Sequence, residues 1–129
     1  MEYRISVNHE ERFMEVKTQG TAATEGFLSF ISELLAPSYL DLQYNLLIEM
    51  SELDTSSLKS NDIRNIVGFL ELHKEKLSPT RHAIVAATPL AFGFARMYQI
   101  LADGALPMSI QVFALRDKAR EWLRDAAAS

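Results

Sequence analysis

One acidic residue interrupts an otherwise apolar segment. Glu49 lies within residues 46–50, Leu-Leu-Ile-Glu-Met, which have the pattern of a buried central strand. A carboxylate there is costly to bury unless it is paired or lies near a strand end. In one interpretation Glu49 ends the strand and accepts hydrogen bonds from the following loop. In the other it faces a ligand at the carboxyl edge of the sheet, where open α/β folds bind ligands.

The residues and motifs needed for most other catalytic chemistries are absent from the sequence. The chain has no cysteine, which excludes disulfides, thiolate metal sites and cysteine nucleophiles. It has neither a phosphate-binding P-loop nor the Gly-x-Ser-x-Gly nucleophile motif. His9, His73 and His82 lack metal-ligand spacing, and we expect His82 to be exposed at a strand end rather than to act as a polar partner at the sheet edge. No acid–base partner for Glu49 is apparent, so we predict no enzyme, metal or cofactor.

Serines cluster in the polar segment 51–60 that follows this apolar run. Serine is common in loops and at helix starts, which accounts for them without a function. The alternative is phosphorylation of Ser56 or Ser57, because a phosphate near a helix N-terminus is favoured by the helix dipole.

A helix predicted over 90–103 is apolar around most of its circumference. Phe92 falls in its narrow polar sector beside Arg96, while Leu72 on the preceding helix lies opposite that helix's core stripe and Phe69 flanks it. Isolated exposed apolar residues are normal. The alternative is a joined surface that contacts a ligand, a membrane or a second subunit. The predicted ligand-binding residues are Glu49, Ser51, Phe69, Leu72, Phe92, Arg96 and Met97.

The candidate residues lie on predicted strands and helices that alternate along the chain. Alternation predicts strands over 3–8 and 12–19, joined as an antiparallel hairpin. Helical spacing then predicts a helix that ends before Pro37. The remaining elements are predicted as a strand over 46–50, a helix over 60–77, a strand over 82–87, a helix over 89–103, a strand over 109–115 and a closing helix.

This order predicts an α/β fold. Strands separated by single helices require parallel crossover connections. The chain of 129 residues fits one domain, 1–129, with a five-stranded mixed sheet and four helices. Which sheet face each helix covers is left open.

The opening hairpin and three further segments resemble the SpoIIAA-like family, a branch of the STAS fold group. The three segments are residues 47–51 with the polar loop after them, the segment Phe-Gly-Phe-Ala-Arg-Met-Tyr at 92–98, and residues 112–113 leading into the last helix. The resemblance covers nearly the whole chain. It implies a fold similar to the CRAL-TRIO lipid-transfer domains, and therefore apolar ligands or membrane surfaces.

A phosphorylation switch is known in relatives of this family. The anti-sigma-factor antagonists carry Asp-Ser-Ser-Gly where this chain has Asp54-Thr55-Ser56-Ser57, and here no glycine follows. The departure argues against a conventional switch at Ser56 or Ser57.

The resulting functional expectation is a non-enzymatic binding module for an apolar or lipid-like ligand, with transient membrane association. The alternative is a protein-interaction switch, and an enzyme using Glu49 ranks last. The net charge of −4 argues against nucleic acid. The N-terminus lacks a signal-peptide pattern and no apolar run reaches 18 residues, so we expect a cytoplasmic protein, peripheral at the inner membrane face when it binds lipid. A homodimer is a further expectation.

Overall fold

The computed structural model describes the backbone of residues 1–128 and the side chains of residues 1–125, so the last residue of the predicted 1–129 domain lies outside the described residues. Strands and helices alternate after an opening pair of strands. In chain order they are β1 (Glu2–Asn8), β2 (Phe13–Thr21), α1 (Thr24–Leu34), α2 (Pro37–Leu40), β3 (Asn45–Asp54), α3 (Ser60–Leu72), β4 (Arg81–Val85), α4 (Pro89–Ala102), β5 (Ser109–Phe113) and α5 (Arg116–Ala128).

The five strands form one mixed sheet in the order β1-β2-β3-β4-β5. Strands β1 and β2 pair antiparallel, as the alternation of Tyr3, Ile5 and Val7 predicts, and the other neighbouring pairs are parallel. Four helices have seven or more residues. The predicted α/β architecture is therefore confirmed.

The helices divide unequally between the two sides of the sheet. Because side chains alternate along a strand, Ile48 and Met50 of β3 face α1, α3 and α4, whereas Leu47 faces α5. We call these sides the three-helix face and the α5 face. The three-helix face holds the larger apolar core, and on the α5 face Leu47 packs with Ala119 and Leu123 of α5.

Strand β3 is longer than predicted. Residues 51–54 were expected in a loop, but they continue the strand because their backbone pairs with β2 as far as Thr21↔Asp54. Thr18 lies at an irregularity in this pairing, and its buried hydroxyl donates a hydrogen bond to the Glu49 backbone oxygen at 2.9 Å.

The helix predicted over 60–77 ends earlier, at Leu72. Lys74–Lys76 form one turn of 3₁₀-helix instead. The sequence His-Lys-Glu-Lys supplies no apolar side chain that would hold another helical turn against the core. Leu77 still reaches the core, from an extended backbone conformation.

Candidate functional site

An apolar cavity of about 130 Å³ lies between the sheet and the helices of the three-helix face. An engineered apolar cavity of about 150 Å³ admits benzene, so this volume suits a ligand of about one aromatic ring. The wall combines aliphatic and aromatic side chains from the sheet and from α1 to α4. The apolar residues that line it include Met14, Phe30, Leu46, Ile48, Ile66, Leu70, Ile84 and Ala95.

Helix α4 contributes a small side chain to this wall. It begins at a cap where the Thr88 hydroxyl accepts a hydrogen bond from the Ala91 N–H at 3.2 Å, with Pro89 in the first turn. Three alanines, Ala91, Ala95 and Ala102, are its fully buried residues. Ala95 lines the cavity with one methyl group, and a larger side chain there would occupy part of the space.

The polar groups of the wall concentrate near one end of the sheet. Tyr44 immediately precedes β3, Ser78 and Thr80 precede β4, and His82 is the second residue of β4. This is the amino edge of the parallel strands, whereas the sequence predicts a ligand at the carboxyl edge. Among the described residues that line the cavity, none carries a carboxylate, an ammonium or a guanidinium group.

His82 lies on the cavity side of the central strand. It pairs in register with Leu46 of β3 and Ile110 of β5, and its Nε2 lies 3.3 Å from the Thr80 hydroxyl oxygen. Burial lowers the pKa of His82 from its ordinary 6.5 to about 4, so the imidazole is neutral at pH 7. The expectation of an exposed His82 was wrong: the side chain is half-buried, because apolar neighbours on both adjacent strands and the helix layer cover part of it. Its alternation with Ile84 was the signal in the sequence.

Tyr98 of α4 is a second polar group of the wall. Burial raises the pKa of its hydroxyl above the usual range. The phenol is therefore neutral at any physiological pH and can donate or accept a hydrogen bond.

Glu49 and Ser51 lie on the other side of the sheet, on the α5 face. Glu49 is buried and its Oε1 accepts hydrogen bonds from the Ser51 backbone N–H, at 3.0 Å, and from the Ser51 hydroxyl. Its Oε2 lies 3.8 Å from Nη1 of Arg116. Glu49 thus accepts bonds from the residues that follow it, as the first interpretation expects, although the strand continues beyond it.

Arg116 also holds a second carboxylate, that of Glu15. Its Nη2 donates to Glu15 Oε1 at 2.7 Å, and its Nη1 donates to the other carboxylate oxygen. These hydrogen bonds raise the pKa of Arg116. This cluster could not be predicted from the sequence, because its members come from β2, β3 and the start of α5.

The other predicted ligand-binding residues lie on α3 and α4. In strand–helix–strand units each helix starts at the carboxyl edge of the sheet and ends at the amino edge. Phe69 and Leu72 lie near the end of α3, whereas Phe92 lies in the first turn of α4. They are therefore toward opposite ends of the helix layer. Leu72 is 81% exposed, and the Arg96 guanidinium donates to Gln99 at 2.9 Å.

The structure does not bring the seven predicted residues together. Two lie on the α5 face and five on helices of the opposite layer, where Phe69, Phe92 and Met97 are half-buried. The residues that line the cavity include none of the seven. Ile63, Ile66 and Leu70 share one apolar stripe of α3 at helical spacing, but spacing does not predict how much space is left between that stripe and the sheet.

The two candidate phosphorylation sites lie in the loop between β3 and α3, and both are exposed. The Ser56 backbone N–H donates to the Asp54 carboxylate at 2.9 Å, and the Ser57 hydroxyl donates to the Ala22 backbone oxygen at 3.1 Å. At the start of α3 the Asp62 carboxylate already accepts a hydrogen bond from the Lys59 N–H at 2.8 Å. A negative group therefore already occupies the helix end that a phosphate would use.

One solved structure places this architecture among known folds. The chain is similar to an uncharacterized protein of the DUF3478 family with a SpoIIAA-like fold from Shewanella loihica, with a TM-score of 0.59 and 20% identity over 95% of this chain and 92% of that one. The chain has the SpoIIAA-like fold. The resemblance stated from the sequence is confirmed for the fold, and at this identity the similarity shows the fold alone. No protein-family model matches the sequence, and no curated protein matches it.

Neither a membrane-spanning helix nor a metal site occurs in the part of the chain that the structure describes. No helix there has the length and apolar character needed to cross a membrane. No three histidine or acidic side chains among residues 1–125 come together as a metal site.

Proposed function

We propose that this protein is a non-enzymatic binding module that holds a small apolar ligand in the cavity of the three-helix face. The observation that carries the proposal is the cavity itself, about 130 Å³ enclosed mainly by aliphatic and aromatic side chains. The cavity is partly open, and ligand sites in proteins are typically concave, mostly apolar and lined by a few polar groups. A void costs dispersion contacts in the empty protein, and a ligand that restores them binds favourably.

The position of the cavity separates this proposal from the seven ligand-binding residues predicted from the sequence. Those residues were predicted to form a joined apolar surface on two helices and a site at the carboxyl edge of the sheet. The cavity lies under these helices, against the sheet, with its polar groups near the amino edge. The class of ligand stays apolar, as predicted, and the proposed binding residues change.

Toluene provides a direct test of this function. A ligand that binds the folded protein alone raises the free energy of unfolding, by about 2.7 kcal/mol at a hundredfold excess over Kd. We expect toluene to raise the melting temperature and to shift the NMR signals of methyl groups that line the cavity. Extraction of the purified protein followed by mass spectrometry then identifies any ligand carried from the cell.

A matched pair of variants assigns the binding to the cavity. Ala95→Leu adds three carbons inside the cavity wall and should abolish the toluene shift while keeping the fold. Ala114→Leu makes the same change at an exposed position and should leave the shift intact. Equal toluene binding by Ala95→Leu and the parent protein would place the ligand elsewhere and contradict the proposal.

The protein-interaction switch has weaker support. Ser56 and Ser57 are exposed, as a kinase substrate requires. Against this, the Asp62 carboxylate occupies the N-terminus of α3, and no glycine follows Ser57. Membrane association and dimer formation stay predictions, and the vesicle experiment below addresses the first of them.

A further inference from the structure

We infer that the cavity selects neutral ligands that carry a single hydroxyl group, such as phenols and short alcohols, and that Nδ1 of His82 forms a hydrogen bond with this hydroxyl. This inference rests on the proposed function and names the ligand class for the same cavity. It depends on three features of the wall: where His82 lies, which of its nitrogens is already bonded, and the absence of charge among the lining residues that the structure describes.

The hydrogen bonds around Thr80 determine which imidazole nitrogen is free. The Thr80 hydroxyl oxygen lies 3.4 Å from the Ser78 backbone oxygen and 3.3 Å from His82 Nε2. Nε2 is therefore the nitrogen that the protein contacts, and it donates or accepts according to the tautomer. In a neutral imidazole Nδ1 takes the opposite role to Nε2. Within the described chain Nδ1 has no hydrogen-bond partner, so a ligand hydroxyl, which can both donate and accept, would satisfy it in either tautomer.

The surroundings of His82 exclude charged ligands. The imidazole is neutral at pH 7, and the Tyr98 phenol in the same wall is neutral as well. A carboxylate brought into this cavity would meet no cationic side chain among the described lining residues. Burying an unpaired charge is far more costly than burying a hydroxyl that finds a hydrogen-bond acceptor. A fatty acid anion or a benzoate is therefore a poor ligand, and an alcohol or a phenol is a good one.

Phenol, toluene and benzoate form a matched set of probes for this cavity. Phenol and toluene have the same number of heavy atoms, and phenol carries a hydroxyl group where toluene carries a methyl group. We expect phenol to bind the parent protein more tightly than toluene, and benzoate not to bind. In His82→Phe, which keeps a ring and removes both nitrogens, the preference for phenol over toluene should fall by about two- to tenfold, the range that one net hydrogen bond supplies.

The same measurements separate this inference from the proposed function. Toluene binding without a preference for phenol, or an unchanged preference in His82→Phe, would overturn the inference and leave the proposed function standing. Failure of both neutral probes to bind the parent protein would overturn both. If His82→Phe does not fold, nitrogen NMR of labelled histidine in the parent protein decides: phenol, but not toluene, should shift the Nδ1 signal of His82, and equal effects of the two probes would refute the role of Nδ1.

Discussion

The two faces of the sheet bury their side chains in different ways. On the α5 face Leu47 is fully buried among Phe13, Ala83, Val85, Ala119 and Leu123, and charged groups at the rim are paired. On the three-helix face a larger apolar core encloses the cavity. The apolar core around Leu47 therefore resembles ordinary structural packing. On the three-helix face the side chains around the cavity lack dispersion partners on one side.

The largest expected effect compares one leucine from each face. Leu47→Ala removes a fully buried side chain from the α5 face, and we expect it to lower the free energy of unfolding by about 4 kcal/mol. Leu70→Ala removes a buried leucine that already borders the cavity, and it should lower that free energy by about 2–3 kcal/mol, because fewer contacts are lost. Urea unfolding of both variants measures the difference. Equal losses would mean that the two faces are packed equally well.

The sequence predicted the arrangement of elements far better than the site. The alternation of Tyr3, Ile5 and Val7 depends on neighbours two positions apart, so the hairpin could be inferred locally. The cavity depends on the space left between Phe30, Ile66 and Ala95, which belong to different helices. The spacing of residues along the chain does not indicate how well such side chains fill the volume between them.

The same limit applies to the charged residues. Glu49 was recognised as unusual from its apolar neighbours alone, and its hydrogen bonds to Ser51 are local. Its ion pair with Arg116 is not, since the two residues meet only when α5 packs across the sheet. His82 was misjudged because its burial comes from both neighbouring strands and from the helix layer.

A smaller effect concerns the pH dependence of the three-helix face. His82 has its pKa lowered to about 4 in the folded protein, so between pH 6.5 and 4 the unfolded chain binds a proton that the folded chain does not. The contribution of His82 to the free energy of unfolding is therefore fully present above pH 6.5, and it is lost as the pH falls toward 4. The loss at pH 4 should be about 3 kcal/mol.

The variant His82→Phe isolates this titration. Buried or bonded carboxylates also reduce stability in acid, but they are common to both proteins, so the difference between the two stability curves reports His82. We expect that difference to change between pH 7 and pH 4, with the variant losing less stability than the parent protein. Urea unfolding at several pH values measures it, and parallel curves would show that the imidazole is not shielded from water.

On the α5 face the expected electrostatic effect is smaller still. Arg116→Ala leaves the carboxylates of Glu15 and Glu49 without their shared cation, and we expect a loss of about 1–2 kcal/mol, between the values typical of exposed and of buried ion pairs. Lys17→Ala is the control, because the Lys17–Glu52 pair is exposed and 3.9 Å long and should contribute less than about 0.5 kcal/mol. Equal effects of the two substitutions, measured by thermal unfolding, would show that the cluster around Arg116 is screened like any surface pair.

The smallest expected effects concern the outer surface of the three-helix face, where the sequence predicts membrane contact. Leu72 is almost fully exposed, so Leu72→Ser should change the free energy of unfolding by less than about 0.5 kcal/mol. Phe92 is half-buried against the core, and Phe92→Ser should cost about 1–2 kcal/mol. Because the two residues lie toward opposite ends of the helix layer, co-sedimentation with anionic lipid vesicles can distinguish them. If the Phe92 end of α4 contacts the membrane, Phe92→Ser lowers the bound fraction and Leu72→Ser does not. If both variants bind vesicles like the parent protein, neither end of the helix layer contributes a membrane contact.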